Sequence, residues 1–417
     1  MERAIRVMHF ADTHFGVELY GQLDPYTGIN SRLLDFKKSL LNGIEMAISS
    51  NVDMAIFTGD AYRTRDPRQT DQREFAECIR ELTRRGIPVV MLTGNHDMPA
   101  VRGRANSVEI YRTLGVENVY VISRPETILI PTAAGIVRVA GMPYLMKGIS
   151  VSREEFLGRS IEQTKNMLED LYHTYLHGLA DEIRASEDNL PTILMGHFWV
   201  NGSKLSDFQN GYWNIQEPQV SLSDLIDPAF DYVALGHIHK YQDLNPGGQP
   251  HIVYCGSPDR IDFGEWNETK GFVMVELKKG GAEYQFLPIE VGRKMNDIRI
   301  DADNDEPTET ILRELKRWKL ENSIVRLTYT INEARRSLVR EREIREVLKQ
   351  AHRVVSITQK VERDASARSR LLTESRTPRE ALQLYIETQT QLLPIRERLL
   401  EAAELLFNKQ QEEEESR

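Results

Sequence analysis

Cysteine is nearly absent from this chain of 417 residues, which has only Cys78 and Cys255. Two cysteines cannot staple a chain of this length, so a disulfide framework is excluded and a reducing compartment is expected. Long apolar runs are missing too. No stretch reaches the ~18–20 apolar residues of a membrane helix, and the opening MERAIRVMHF leaves no room for a signal peptide. A soluble, cytoplasmic protein with no membrane partner is the expectation. Basic charge is in deficit, with 53 Lys and Arg against 63 Asp and Glu and a formal net charge of -10. A nucleic-acid ligand would therefore have to be met by local basic patches. Length is in ample supply, and 417 residues exceed one ordinary core, so two or three domains are expected.

One pattern recurs along the first 240 residues. A short apolar run ends in Gly, Asp, Asn or His: IRVMHF then ADTHFG, DMAIF then TGD, IPVVML then TGNHD, PTILM then GHF, and DYVAL then GHIH. Helical segments lie between them, over 33–49 and 72–85, with another over 154–186. Such runs alternating with helices predict buried strands of an α/β sheet, whose carboxyl ends collect the functional groups.

Those ends supply Asp12, His14, Asp60, Asn95, His96, His197, His237 and His239. Histidine, carboxylate and one amide oxygen, with no thiolate, suit Mn²⁺, Fe²⁺ or Zn²⁺. With His96 set aside, the remaining seven are too many ligands for one tetrahedral ion but suit two ions sharing a carboxylate, an arrangement that hydrolyses phosphate esters. The two histidines of GHIH could then split, one to each ion. Each motif alone is weak; the ordered series is specific.

The series resembles the calcineurin-like metallophosphoesterase superfamily and, within it, the SbcD/Mre-type branch of DNA nucleases. The likeness runs from Arg6 to about Leu277 and takes in YCGSPDRIDFGEWNETKGFVMVEL, whose Gly-Ser and late Lys-Gly-Phe are typical of that branch. It implies an αββα sandwich over residues 1–285, a small α+β capping domain over 291–363, a linker over 364–376 and C-terminal helices over 377–417. It implies one ion on Asp12, His14, Asp60 and His239, and a second on Asp60, Asn95, His197 and His237, with Asp60 bridging. His96 would orient the scissile phosphate or protonate the leaving oxygen, with Asp97 fixing its tautomer. A manganese-dependent DNA phosphodiesterase follows, acting on double- and single-stranded DNA. An SMC-like ABC ATPase with a coiled coil is the implied partner, and a homodimer the implied state. One departure stands out: GDAYR places Arg63 where the family has His or Asp, and an arginine clamps phosphate but donates no proton at neutral pH.

Arg63, Arg65, Arg68 and Arg73 follow Asp60, while Arg102 and Arg104 follow the GNHD motif, all candidates for backbone contacts to DNA. Arg335, Arg336, Arg340, Arg342 and Arg345 make a basic stretch in the capping segment, diluted by neighbouring glutamates. His173 and His177, four apart on a helix, have no third ligand nearby in sequence and read as a surface pair. His9 and Cys255 read as core. Leu382, Tyr385 and Ile386, then Ile395, Leu399, Ala403, Leu406 and Phe407, make two apolar helix faces for the partner ATPase or for packing back on the capping segment. Two other functions fit less well. A small-molecule or cyclic-nucleotide phosphodiesterase needs neither the arginines nor the C-terminal segments, and a non-catalytic adaptor needs no full ligand set.

Overall fold

A computed structural model describes residues 3–99, 103–146, 158–207, 209, 217–362, 378–387 and 392–415. They form two compact units, Met1–Asp297 with Asn322–Ile324, and Ile298–Glu321 with Val325–Arg417.

The first unit contains two mixed six-stranded sheets. One runs in the order Gly281–Pro288, Gly271–Lys278, Ile5–Phe10, Met54–Phe57, Val89–Leu92, Val119–Ile122. The other runs Gln242–Asp243, His251–Tyr254, Tyr232–Gly236, Thr192–His197, Gly135–Met142, Glu126–Thr132. The layering follows from the two-residue period of a strand. All of Met54–Phe57 is buried, yet Met54 and Ile56 join one cluster while Ala55 and Phe57 join another. The first of these lies between the sheets, since it also holds Val139, Ile193, Met195, Tyr232 and Ala234. The second takes in Phe36, Leu40 and Ile44 of helix Ser31–Ser49 and Phe75, Ile79 and Leu82 of helix Gln69–Thr83. Leu194, Val233 and Leu235 face outward from the other sheet and pack with Leu168, Tyr172 and Leu176 of helix Ile161–Ala185. The architecture is the expected αββα sandwich. Burial on both faces is why its strands read as unbroken apolar runs.

Caps set where the helices begin. The Asn30 side chain accepts from the Arg32 amide at 2.9 Å, so the first helix opens at Ser31, two residues before its apolar pattern. Ser160 and Gln163 cap each other reciprocally and start the long helix at Ile161, well inside the expected 154–186.

Strands Ile5–Phe10, Met54–Phe57 and Val89–Leu92 are mutually parallel neighbours, as are Thr192–His197 and Tyr232–Gly236, where Gly236 lies opposite His197. Each sheet thereby gathers its strand carboxyl ends along one edge. His9 ties the sheets together. Its ring lies 3.1 Å from the Tyr232 hydroxyl and 3.2 Å from the Leu235 carbonyl, and burial pushes its pKa down to about 3. It is a neutral core histidine. Cys255 is also buried, which pushes its thiol well up and rules out a ready nucleophile.

A three-stranded sheet, in the order Met295–Asp301, Ile324–Asn332, Arg353–Glu362, carries helices Pro307–Leu315 and Glu341–Leu348. Ile311, Leu315, Ile344 and Leu348 pack onto Ile298, Leu327 and Tyr329. The basic stretch here is largely neutralised, as the neighbouring glutamates led one to expect, and Asp303 and Glu309 add to it. Arg335 pairs with Asp303 at 3.0 Å, Arg340 with Glu309 and Glu343 at 2.5 Å each, and Arg345 with Glu341 at 2.9 Å. Helices Pro378–Glu387 and Arg396–Glu415 contact each other, with Ile386 buried and Tyr385, Ile395 and Leu406 exposed. The expected linker over 364–376 lies outside the described residues.

Candidate metal centre

Four of the seven candidate ligands leave their strands through an unusual backbone conformation. Asp12, His14, Asp60 and His237 have φ of 52°, 43°, 61° and 95°, the left-handed region that residues with a Cβ avoid. Such strain persists only where the surroundings over-determine it, and it collects at functional sites. Two glycines make the close approach possible. A Cβ on Gly94 would stand 2.1 Å from Asp60 Oδ1, and one on Gly59, itself at φ +100°, would stand 2.4 Å from His197 Nδ1.

The side chains from both sheets meet around Asp60. Its Oδ2 faces His14 Nε2 at 3.7 Å, and its Oδ1 faces His197 Nε2 at 3.5 Å. On the first side His14 Nε2 lies 3.1 Å from His239 Nε2, with Asp12 in the same group. On the second, His197 Nε2 lies 3.1 Å from Asn95 Oδ1 and its ring 4.9 Å from that of His237. Asp60, His197 and His237 form a buried group of their own. These buried His/Asp clusters suit a pair of metal ions that share Asp60. Two imidazole nitrogens about 3 Å apart are spaced as adjacent ligands of an ion with ~2.1 Å bonds. His14 Nδ1 is buried without a hydrogen-bond partner.

Ring orientation is set from behind. The carbonyl of Thr58 accepts from His197 Nδ1 at 2.6 Å, which leaves Nε2 as the nitrogen that faces Asp60 and Asn95. Glu265 accepts from His239 Nδ1 at 2.8 Å and turns Nε2 toward His14. Burial would raise the Glu265 carboxyl, but Lys270 and His239 outweigh it and hold its pKa down at about 2. Gln209 clamps the GHIH turn, donating to the His237 carbonyl at 2.8 Å and accepting from the His239 amide at 3.1 Å. The field favours a cation. Burial opposes charge on His197, yet Asp60 and Asp12 raise its pKa to about 9. Burial likewise opposes charge on Asp60, and the facing histidines hold it well below the ordinary carboxylate range.

The family model described as calcineurin-like phosphoesterase matches residues 5–241. The chain belongs to this family. Among curated relatives of this phosphoesterase, it is 26% identical over 323 residues to the SbcD component of the nuclease SbcCD of Escherichia coli (strain K12), covering 76% of this chain and 74% of that protein. The DNA double-strand break repair protein Mre11 of Thermoplasma acidophilum is 27% identical over 301 residues, covering 71% of this chain and 69% of its own. The SbcD component of the nuclease SbcCD of Staphylococcus epidermidis is 26% identical, covering 72% and 74% respectively.

All eight strand-end residues gather at this phosphoesterase centre, though one support differs from expectation. His96 Nδ1 donates to the Arg63 carbonyl at 2.9 Å, so it is this carbonyl, and not Asp97, that orients the ring. Asp97 instead accepts from the backbone amides of Asp60, Ala61 and Gly94 at 2.8 to 3.0 Å and fixes both loops. Of the arginines, Arg63 is half-buried, while Arg65 and Arg104 are exposed. Arg68 pairs with Glu18 and Arg73 with Glu74, and Arg102 lies outside the described residues. Glu265, Gln209, Lys270 and Glu217, which lies 2.8 Å from His237 Nε2, were not among the expected site residues. No sequence signal singles out Glu265 and Lys270, because the stretch 254–277 also carries Asp259, Arg260, Asp262, Glu268 and Glu276. Finally, His173 and His177 do have a third partner, Asp224, which lies 3.1 Å and 3.6 Å from them.

No helix among the described residues is long and apolar enough to cross a membrane.

Proposed function

We propose that this phosphoesterase is a manganese-dependent DNA phosphodiesterase, the nuclease subunit of a cytoplasmic SbcCD-like repair complex. The observation that carries the reading is the Asp60 carboxylate, which turns one oxygen to each of two histidine groups. Similarity to the SbcD component of the nuclease SbcCD and to Mre11 supports DNA as the substrate. Asp12, His14, Asp60 and His239 would hold one ion, and Asp60, Asn95, His197 and His237 the other. When bound, the two ions supply the Lewis-acid charge that phosphodiester hydrolysis requires. His96 is held at Nδ1 by the Arg63 carbonyl and keeps Nε2 for the scissile phosphate or the leaving oxygen. Arg63, Arg65 and Arg104 would meet the DNA backbone on either strand form, without reading sequence.

The deciding experiment is hydrolysis of double- and single-stranded DNA with Mn²⁺, Mg²⁺ or chelator, beside a cyclic-nucleotide substrate. Mn²⁺-dependent DNA cleavage is expected. Preference for the cyclic nucleotide would favour the small-substrate reading, which draws support from the pairing of Arg68 with Glu18 and from Glu217 at the site. DNA binding without hydrolysis would favour an adaptor. The C-terminal helices are the proposed dock for an SMC-like ABC ATPase, and a homodimer is the proposed state. Truncation after Arg376 should abolish co-purification with the ATPase and leave Mn²⁺-dependent cleavage by the nuclease alone. Retained association would refute that assignment.

A further inference from the structure

Histidine and carboxylate meet a second time on the first unit, away from the strand ends. His173 and His177 stand one turn apart on helix Ile161–Ala185, with ring centroids 4.2 Å apart. Asp224, at the end of the short 3₁₀ turn Leu222–Asp224, reaches between them. Its Oδ1 lies 3.1 Å from His173 Nδ1 and 3.6 Å from His177 Nε2, and all three ligand atoms fall within 4.8 Å of one another. A tetrahedral ion with ~2.0–2.1 Å bonds spaces its ligand atoms about 3.4 Å apart. The two distances to Asp224 bracket that value.

Asp224 is placed there by other contacts. Glu169 of the same helix accepts from the Gln219 amide at 2.9 Å, just before the turn. Arg184, one helical stretch on, pairs with Asp227 at 2.6 Å, just after it. Leu225 is buried in the cluster that holds Leu176 and Leu179. The carboxylate is therefore pre-positioned over the histidine pair, as a metal site requires. A simple ion pair explains the geometry less well. A hydrogen bond from one ring would satisfy that carboxylate oxygen, yet here both rings converge on it.

We propose that His173, His177 and Asp224 form a mononuclear site for a divalent transition ion of the zinc class, distinct from the dinuclear centre. Both histidines are about half exposed, so the fourth position opens to solvent. An exposed site of three ligands favours ions that bind nitrogen strongly, and it discriminates against Mn²⁺. The ion would clip the turn at 222–224 to the helix.

The test uses the full chain dialysed against about 10 μM Zn²⁺, a free concentration that fills sites of micromolar affinity, with bound metal counted by elemental analysis. His173→Ala with His177→Ala should lose one zinc equivalent, and the same single equivalent should disappear when the pair is made in an Asp60→Asn background. Asp224→Asn should weaken that equivalent by about tenfold or more, as loss of a charged ligand demands. His177→Gln serves as a milder replacement should the alanine variant fail to fold, and it should show the same loss. Unchanged zinc uptake in the histidine variants would overturn the site. Unchanged affinity in Asp224→Asn would overturn the three-ligand assignment and leave only a helix-surface histidine pair.

Discussion

At the strand ends, His14, His197, His237, His239, Asp12 and Asp60 are all buried, and most of the rings have a nitrogen tied to a partner behind them. On helix Ile161–Ala185, two half-exposed imidazoles share one carboxylate at the surface, held only by the pitch of the helix and a pinned turn. The residue types are the same, and what differs is dielectric and orientation. Water is excluded from the first group, so each charge there acts strongly on its neighbours. Even a weakly nitrogen-binding ion such as Mn²⁺ can be held by many such donors. The second group has fewer donors in a wetter place and needs a stronger-binding ion. The strain differs too, since left-handed backbone occurs at four residues of the first group and at none of the second.

That contrast can be broken by experiment. The largest effect is expected from Asp60→Asn, which removes a charge facing both groups of the buried centre. DNA-hydrolysis rate should fall by about 10³-fold or more, with loss of bound Mn²⁺. Full occupancy and full rate, by metal analysis and nuclease assay, would refute the shared carboxylate. His96→Ala should cut turnover by on the order of 10²-fold while both ions stay bound. A lost ion in the purified variant would make His96 a ligand, and an unchanged rate would make it a bystander.

Glu265→Gln probes orientation from behind. Mn²⁺ affinity should weaken by about 10- to 100-fold, because the His239 ring is no longer held by a charge and Lys270 is left buried beside a neutral amide. A Mn²⁺ titration of hydrolysis reads this directly, and a curve that overlays the parent's would show that burial alone orients the ring. The smallest effect is expected from His177→Ala on the same assay. Mn²⁺-dependent turnover should change less than about twofold, as for a surface substitution remote from the chemistry. A larger change would mean that the two groups are coupled.

Much of the centre was legible in the chain because its chemistry is local. Each ligand candidate sits within a few residues of a buried strand's end, where an apolar run gives way to a glycine and a polar cluster, and that signature survives in one sequence. The burial of the strands was legible for the same reason, since doubly buried strands must be apolar throughout, whereas the two-sheet sandwich was implied only by the family resemblance. Helix starts were less so. The apolar face of helix Ser31–Ser49 begins after its cap, and the long helix opens at Ile161 behind the reciprocal cap of Ser160 and Gln163.

What the sequence by itself determined is thus the set of residues at strand ends and the burial of each strand on both faces, because both depend on neighbours along the chain. Only the tertiary structure decided how those residues are oriented and which other groups they meet. Thr58 lies 139 positions from His197, Glu265 lies 26 from His239, and Asp224 lies 51 from His173. Partners so distant leave no periodicity or spacing behind. Packing of the sheets and helices brings them within hydrogen-bond reach, and with it fixes the tautomers, the neutralised arginines and the second cluster of ligands.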